Sequence, residues 1–428
     1  MIAFVNANLI DGTGAAPRPW MKILVEGEKI HAIGKYVEVP LDATVYDLNG
    51  KSVIPGLIES HTHWGNGYRI GIASPQETDN YRRTRNALLA NGITTCRSCG
   101  DYKDDILRVR DQLNSHQLRG PRMVACGPHL MSPDSHPAAT VWGDRSNGTF
   151  ENCGVYPKTP AEARYYVNEW ADKGVDFIKV IFSNFHYMSG PTPAIDPDIV
   201  EAIIDEAHKL GHYCMVHVEN LKNAMIAVER GADALEHLIM VGHTLNTPQE
   251  FEPLFRKMCE NDVWLCPTMA TFYRNDCTRM MKKLTGFSLA DAIPVYRRAY
   301  EYGVPISCGT DAGRPPTPWG PSLHAEMEIY VKDFGMTALE AIRTCTYNNA
   351  KAMRLEGKIG QIKVAACADL VVLDKDPSVD IRNTRSIRMV MHDGKLVWGD
   401  GAKVTPEDMP DPEHGFKIWN YDDFHDIV

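Results

Sequence analysis

Two rhythms of apolar and polar positions alternate along this chain. Over residues 1–53 they alternate in short runs, "AFVNANLI", "MKILVEG", "KIHAIG" and "TVYDLNGKSVI", broken by glycine-containing turns. A period of two sends successive side chains to opposite faces of a strand. These runs therefore predict a small antiparallel sheet. The same texture returns in "ADLVVLDKD" and "IRMVMHDGKLVW". Two strand-rich ends predict one small β-sandwich domain built from both termini, residues 1–53 plus 355–403. The middle, 54–354, is then inserted between them, and 404–428 forms an acidic, aromatic tail.

The middle alternates short apolar strands with helical segments. Eight candidate strands are "VIPGLIESHTH" (53–63), "ITTCRSC" (93–99), "RMVACG" (122–127), "DFIKVIF" (176–182), "YCMVHV" (213–218), "ALEHL" (234–238), "VWLCPTM" (263–269) and "PISCGTDA" (305–312). Helix signals lie between them. In "TPAEARYYVNEWADKG", Thr159 is the N-cap, Pro160 opens the helix, Glu162 completes a capping box and Gly174 stops it. In "DPDIVEAIIDEAHKLG", Ile199, Ile203, Ala207 and Leu210 share one face between Asp196–Pro197 and Gly211. Thr337 and Glu340 form another capping box. Eight strands alternating with helices predict an α/β fold of the TIM-type (β/α)8 barrel kind. A doubly wound sheet would show a Gly-rich phosphate turn after the first strand. "GNGYRIG" (65–71) has the wrong spacing and reads as a loop.

Composition narrows the function. The chain has 428 residues, 44% of them hydrophobic, enough for one large domain and a smaller companion. Its 45 basic and 55 acidic residues leave a net charge of −10 without a basic cluster, which argues against nucleic acid as a partner. Eleven cysteines are scattered through apolar segments. "CRSC" (96–99) matches CxxC but lacks a second ligand pair, so buried free thiols are expected. The N-terminus reads as a strand and not a signal peptide, and no apolar run is long enough to span a membrane. A cytoplasmic protein without membrane contact is expected.

In a barrel of this kind the reactive groups come from the C-terminal ends of the strands. Those ends carry His61 and His63, Lys179, His217, His237 and Asp311. Residues i and i+2 of a strand face the same side, so His61 and His63 can chelate one ion. Alone, each histidine would more often be an ordinary hydrogen-bonded residue, and Asp311 a turn residue beside glycine. Together at strand ends they form a ligand set suited to zinc or another divalent metal. Lys179 stands inside a run fit for full burial, where a charged amine is costly. A salt-bridged lysine is the ordinary alternative. A reactive amine that adds carbon dioxide, giving a bridging carbamate ligand, is the functional one.

This constellation resembles the amidohydrolase superfamily, in its binuclear, carboxylated-lysine type and its prolidase-like and imidazolonepropionase-like branch. "VIPGLIESHTH", "FIKV" and "GTDAG" resemble the family's first, fourth and eighth barrel strands. The segment from "LHAEMEIYVKDFGMTALEAIRTCTYNNAKAM" to "GKIGQIKVAACADLVVLDKDP" resembles its return to the β domain. The resemblance implies that His61, His63 and Asp311 bind one metal ion and His217 and His237 a second. Carboxylated Lys179 would bridge them, and a hydroxide between the metals would attack the substrate. Zinc is the default, with manganese, cobalt or iron able to use the same ligands. His136 aligns with a histidine that polarises the substrate carbonyl, although Pro133, Asp134 and Ser135 stand where the branch has glycines. Glu59 replaces a usual aspartate, and Leu238 a usual glycine. Arg314 is placed to hold a substrate carboxylate, or is a surface arginine.

The implied function is metal-dependent hydrolysis of an amide C–N bond in a small molecule: an N-acyl amino acid, a dipeptide or an amide xenobiotic such as a mycotoxin. Asp311 would act as general base and then acid. A cyclic amide or lactone hydrolase is the alternative. A deaminase is disfavoured, because that subtype lacks the carbamate lysine. A non-catalytic scaffold would have lost ligands, and none of the six is missing. The family also implies a homo-oligomer.

Overall fold

A computed structural model describes residues 1–64, 79–138, 149–186, 190–239, 247–273, 289–313 and 317–408. The first strands are β1 (Ile2–Leu9), β2 (Arg18–Glu26), β3 (Lys29–Gly34), β4 (Thr44–Asp47) and β5 (Ser52–Pro55). The stretch expected as one strand over 53–63 is divided, because β6 (Leu57–Thr62) belongs to a different sheet from β5. Gly56 makes the division. A Cβ there would lie 2.1 Å from Thr94 Oγ1, so only glycine lets the backbone cross that close.

The middle strands are β7 (Ile93–Ser98), β8 (Arg122–Ala125), β9 (His129–Leu130), β10 (Gly154–Val155), β11 (Ile178–Ile181), the short hairpin β12 (Phe185–His186) and β13 (Gly190–Pro191), β14 (Cys214–Val218), β15 (Ala234–His237) and β16 (Trp264–Cys266). β6, β7 and β8 pair in parallel. So do β9, β11, β14, β15 and β16, with β10 beside β9. Asp176 N donates to Ala125 O at 2.9 Å, linking the two sets. Parallel bridges Leu265–Ile306 and Thr62–Ala312 link their far ends through residues 306–312.

That last stretch, expected as an eighth strand, is not a regular one. Its backbone is held partly by side chains: Cys308 N donates to Asn349 Oδ1 (2.8 Å) and Thr310 N to Glu59 Oε1 (3.0 Å). Asp311, at φ 59°, breaks the extended conformation.

The C-terminal strands are β17 (Leu370–Leu373), β18 (Ile387–His392) and β19 (Lys395–Gly399). They join the N-terminal ones in a single sheet of order β19-β18-β17-β5-β1-β2-β3, with β4 also on β1. The antiparallel β5–β17 pair is the junction of the two ends of the chain. Phe4, Ile23, Val53, Val372 and Met389 share one apolar core there. The expected all-antiparallel sheet is corrected: β4 and β5 both run parallel to β1. Parallel neighbours need a crossover, and the β2–β3 hairpin supplies it.

The helices follow their caps. Asp196 and Thr337 each accept a backbone N–H at the start of their helix, and the Thr337–Glu340 box is reciprocal. Thr159 accepts from Glu162 N, but the Glu162 carboxylate caps Lys158 N, one residue before the expected partner. Ile199, Ile203 and Ala207 are buried as expected, whereas Leu210 lies past the helix end and is exposed. No described helix is long and apolar enough to cross a membrane. Residues 65–71 and most of the tail, 409–428, lie outside the described residues.

Candidate active site

The strand ends converge on one pocket, lined by His61, His63, Lys179, His217, His237 and Asp311, with His129, His136, Pro137 and Ile181. β6 brings His61 and leads directly into His63, β11 brings Lys179, β14 His217 and β15 His237. Ring centroids are 5.4 Å apart for His61–His63, 5.0 Å for His61–His237 and 4.5 Å for His217–His237. Asp311 Oδ1 lies 3.1 Å from His63 Nε2 and 3.8 Å from His61 Nε2. The His136 ring stacks on His217, with centroids 5.0 Å apart and planes at 21°. Every expected site residue among those described is thus in one place. Arg314 lies outside the described residues.

Each of the four ligand-type histidines has one ring nitrogen engaged from outside the pocket. His61 Nδ1 contacts the Glu236 carboxylate, His63 Nδ1 the Gly100 carbonyl (2.8 Å) and His237 Nδ1 the Thr268 hydroxyl (2.6 Å). His217 is the exception, using Nε2 toward Glu219 Oε1 at 3.3 Å. An imidazole that engages one nitrogen in this way offers the other as a lone pair. Burial, with Lys179 beside it, pushes His61 down to about 4. Burial also lowers His217 and His237, so these rings are neutral, the form that binds metal.

Lys179 is 1% exposed and its Nζ has no hydrogen-bond partner among the described residues. Four buried imidazoles, a carboxylate and a buried amine without a partner among the described residues form a donor set that fits divalent ions.

Three contributors were missed by sequence reasoning. Glu236 precedes His237, and alternation would send it to the other face. His237, at φ 71°, ends the alternation, and both residues serve the site. Burial raises the Glu236 carboxyl, but His61 and Arg97 outweigh it and hold it down to about 2. Arg97, the interior residue of "CRSC", is fully buried, with Nη2 3.4 Å from Glu236 and Nε donating to Ser60 O at 2.6 Å. His129 packs its ring against His63. Glu219 was missed as well, although its spacing of two residues from His217, just past the strand end, is a signal that could have found it. Leu238 explains its own oddity. Its φ of 88° is the region that favours glycine, the residue the resemblance expects there.

Parallel strands under helices, with a buried histidine, lysine and aspartate cluster at their ends, define a metal-binding hydrolase. The chain belongs to the amidohydrolase family, whose sequence profile matches residues 52–397. It is an enzyme of that family, which removes the scaffold alternative. An ochratoxinase from Aspergillus niger is 26% identical over 441 residues, 94% of this chain and 88% of that protein. An imidazolonepropionase from Streptomyces griseus subsp. griseus is 24% identical, over 90% of this chain and 92% of its own. The crystal structure of a Xaa-Pro dipeptidase with bound methionine superposes with a TM-score of 0.76 at 26% identity, covering 93% and 100% of the two chains.

Proposed function

We propose that this enzyme hydrolyses an amide C–N bond of a small molecule at a centre for two divalent ions, zinc by default. The observation that carries the reading is the convergence of four imidazoles, each with one ring nitrogen already engaged, on the buried Lys179 amine, which has no partner among the described residues. His61, His63 and Asp311 would hold one ion, His217 and His237 the other. Lys179 would span both after its Nζ forms an N–C bond to carbon dioxide and releases one proton, leaving a carbamate anion. Bound ions of this kind acidify water and polarise a carbonyl. Asp311 takes a proton from the attacking water and returns it to the leaving nitrogen as the C–N bond breaks. His136, stacked on His217, donates a hydrogen bond to the carbonyl oxygen.

The ochratoxinase and Xaa-Pro dipeptidase likenesses support an N-acyl amino acid, dipeptide or amide xenobiotic as substrate, with Arg314 as a carboxylate anchor. The imidazolonepropionase likeness supports a second reading, the opening of a cyclic amide. For the scaffold, the two parallel sets and their bridging contacts support a closed (β/α)8 barrel over 54–354. The shared apolar core of the terminal strands supports a β-sandwich over 1–53 plus 355–403.

Elemental analysis of protein purified without chelator and with bicarbonate tests the centre. About two ions per chain are expected. Chelation should abolish hydrolysis of an N-acyl amino acid panel, and zinc with bicarbonate should restore it. Undiminished turnover by the metal-free protein would overturn the proposal.

A further inference from the structure

We infer that Glu219, held by Ser183, is a positioning residue that decides which nitrogen of His217 faces the pocket. The inference deepens the two-ion reading above and rests on it. Strand register places the pair. β11 and β14 align Ile181 with His217, and Phe182 N donates to His217 O, so Ser183 and Glu219 stand one step further toward the strand ends. Residues two apart on a strand share a face. Glu219 therefore rises on the same side as His217, and Ser183 on the same side as Ile181 and Lys179.

Both are buried, at 3% and 0% exposure. Ser183 Oγ donates to Glu219 Oε2 at 2.6 Å, which turns Oε1 toward His217 Nε2 at 3.3 Å. The segments that carry them are tied independently. Asn220 Nδ2 and Asn223 Nδ2 both donate to Asn184 Oδ1, at 3.0 and 3.1 Å, and Asn223 Nδ2 also donates to Phe182 O at 2.9 Å. The carboxylate thus has a fixed address between the strand bearing Lys179 and the strand bearing His217.

A carboxylate is an acceptor only. Facing Nε2, it stabilises the tautomer with hydrogen on Nε2 and leaves the Nδ1 lone pair for the pocket. The other three histidines are engaged through Nδ1 and present Nε2. Without Glu219, His217 loses the acceptor that, among the described residues, selects its less common presentation among the four. The stack of His136 on His217 then no longer rests on an oriented ring.

The test reads the tautomer in metal-free protein, by long-range proton–nitrogen correlation of labelled histidines. The His217 signal is assigned as the one missing from His217→Asn. The parent should carry hydrogen on Nε2. Glu219→Ala should shift His217 toward the Nδ1–H form, whereas Glu219→Gln, whose amide oxygen still accepts, should stay with the parent. Ser183→Ala, a gentler change, should move the same way by less.

Zinc titration of the same variants adds a second readout. Glu219→Ala should weaken one of two ions by about 10–100-fold, with the other unchanged. A parent with hydrogen on Nδ1, or a Glu219→Ala protein with the parental tautomer and parental affinity for both ions, overturns the inference. A parent that binds no zinc overturns the two-ion reading alone, because the tautomer is measured without metal.

Discussion

At the scale of single residues, Lys179 has the most expensive position in the site. Its amine is cut off from water and has no partner among the described residues. An unsatisfied buried donor costs about 1–3 kcal/mol, and more when charged. Such a residue persists where function needs it. Lys179→Met keeps the length and removes the polar atom. It should raise the melting temperature of the metal-free protein while lowering hydrolysis at least ~100-fold, because the proposed bridging carbamate could no longer form. Differential scanning calorimetry and an activity assay on one preparation measure both. A variant that loses stability would assign Lys179 to the fold instead. His237, Leu238 and Asp311 add backbone strain at the same place, with φ of 71°, 88° and 59°. Strain of this kind collects where the surrounding packing over-determines a site.

At the scale of elements, Arg122 is one of the links between the terminal sheet and the middle of the chain. It stands at the start of β8, and its Nη1 lies 2.7 Å from Asp369 Oδ2 while Nη2 contacts Asp393. Asp369 precedes β17, and Asp393 lies in the β18–β19 turn. Burial pushes the Asp369 carboxyl up, yet Arg122 and His392 outweigh it and hold it well below the usual carboxylate range. The three groups are mostly buried, so solvent screens them little. Arg122→Ala would leave two carboxylates without their shared cation. The expected loss is about 3–5 kcal/mol, read by urea unfolding. A loss below about 1 kcal/mol would place this pair with ordinary surface ion pairs.

At the scale of the whole molecule, a buried acid gives the fold a pH dependence of its own. Glu326 lies on the helix Pro321–Ile329 and accepts from Met269 N at 2.8 Å and Ala270 N at 2.6 Å. Burial pushes its carboxyl from an ordinary 4.5 up to about 8, against those hydrogen bonds. The folded protein therefore keeps a proton that the unfolded chain releases. This group's stabilisation is complete below about pH 4.5 and is lost as pH rises through about 8. Glu326→Gln should flatten the stability profile across that window, relative to the parent, in unfolding titrations from pH 5 to 9. A parallel slope in both proteins would show that Glu326 stays ionised in the fold.

The sequence by itself determined what is local or periodic. The i, i+2 spacing of His61 and His63, the buried-strand texture around Lys179 and the caps at Asp196 and Thr337 all rest on neighbours within a few residues. Those rules do not depend on the rest of the molecule. Their places at predicted strand ends then put His217, His237 and Asp311 beside them, and the fold brings all six into one pocket.

Tertiary structure decided what depends on register between distant segments. Only pairing across 175 residues puts Glu236 on His61. Only the approach of Thr94 divides the first predicted strand at Gly56. Only side chains from Glu59 and Asn349 let residues 306–312 dispense with a regular ladder. Hydrophobic period carries none of this. It records which face of an element is buried, and says nothing of which element, at which offset, comes to cover it.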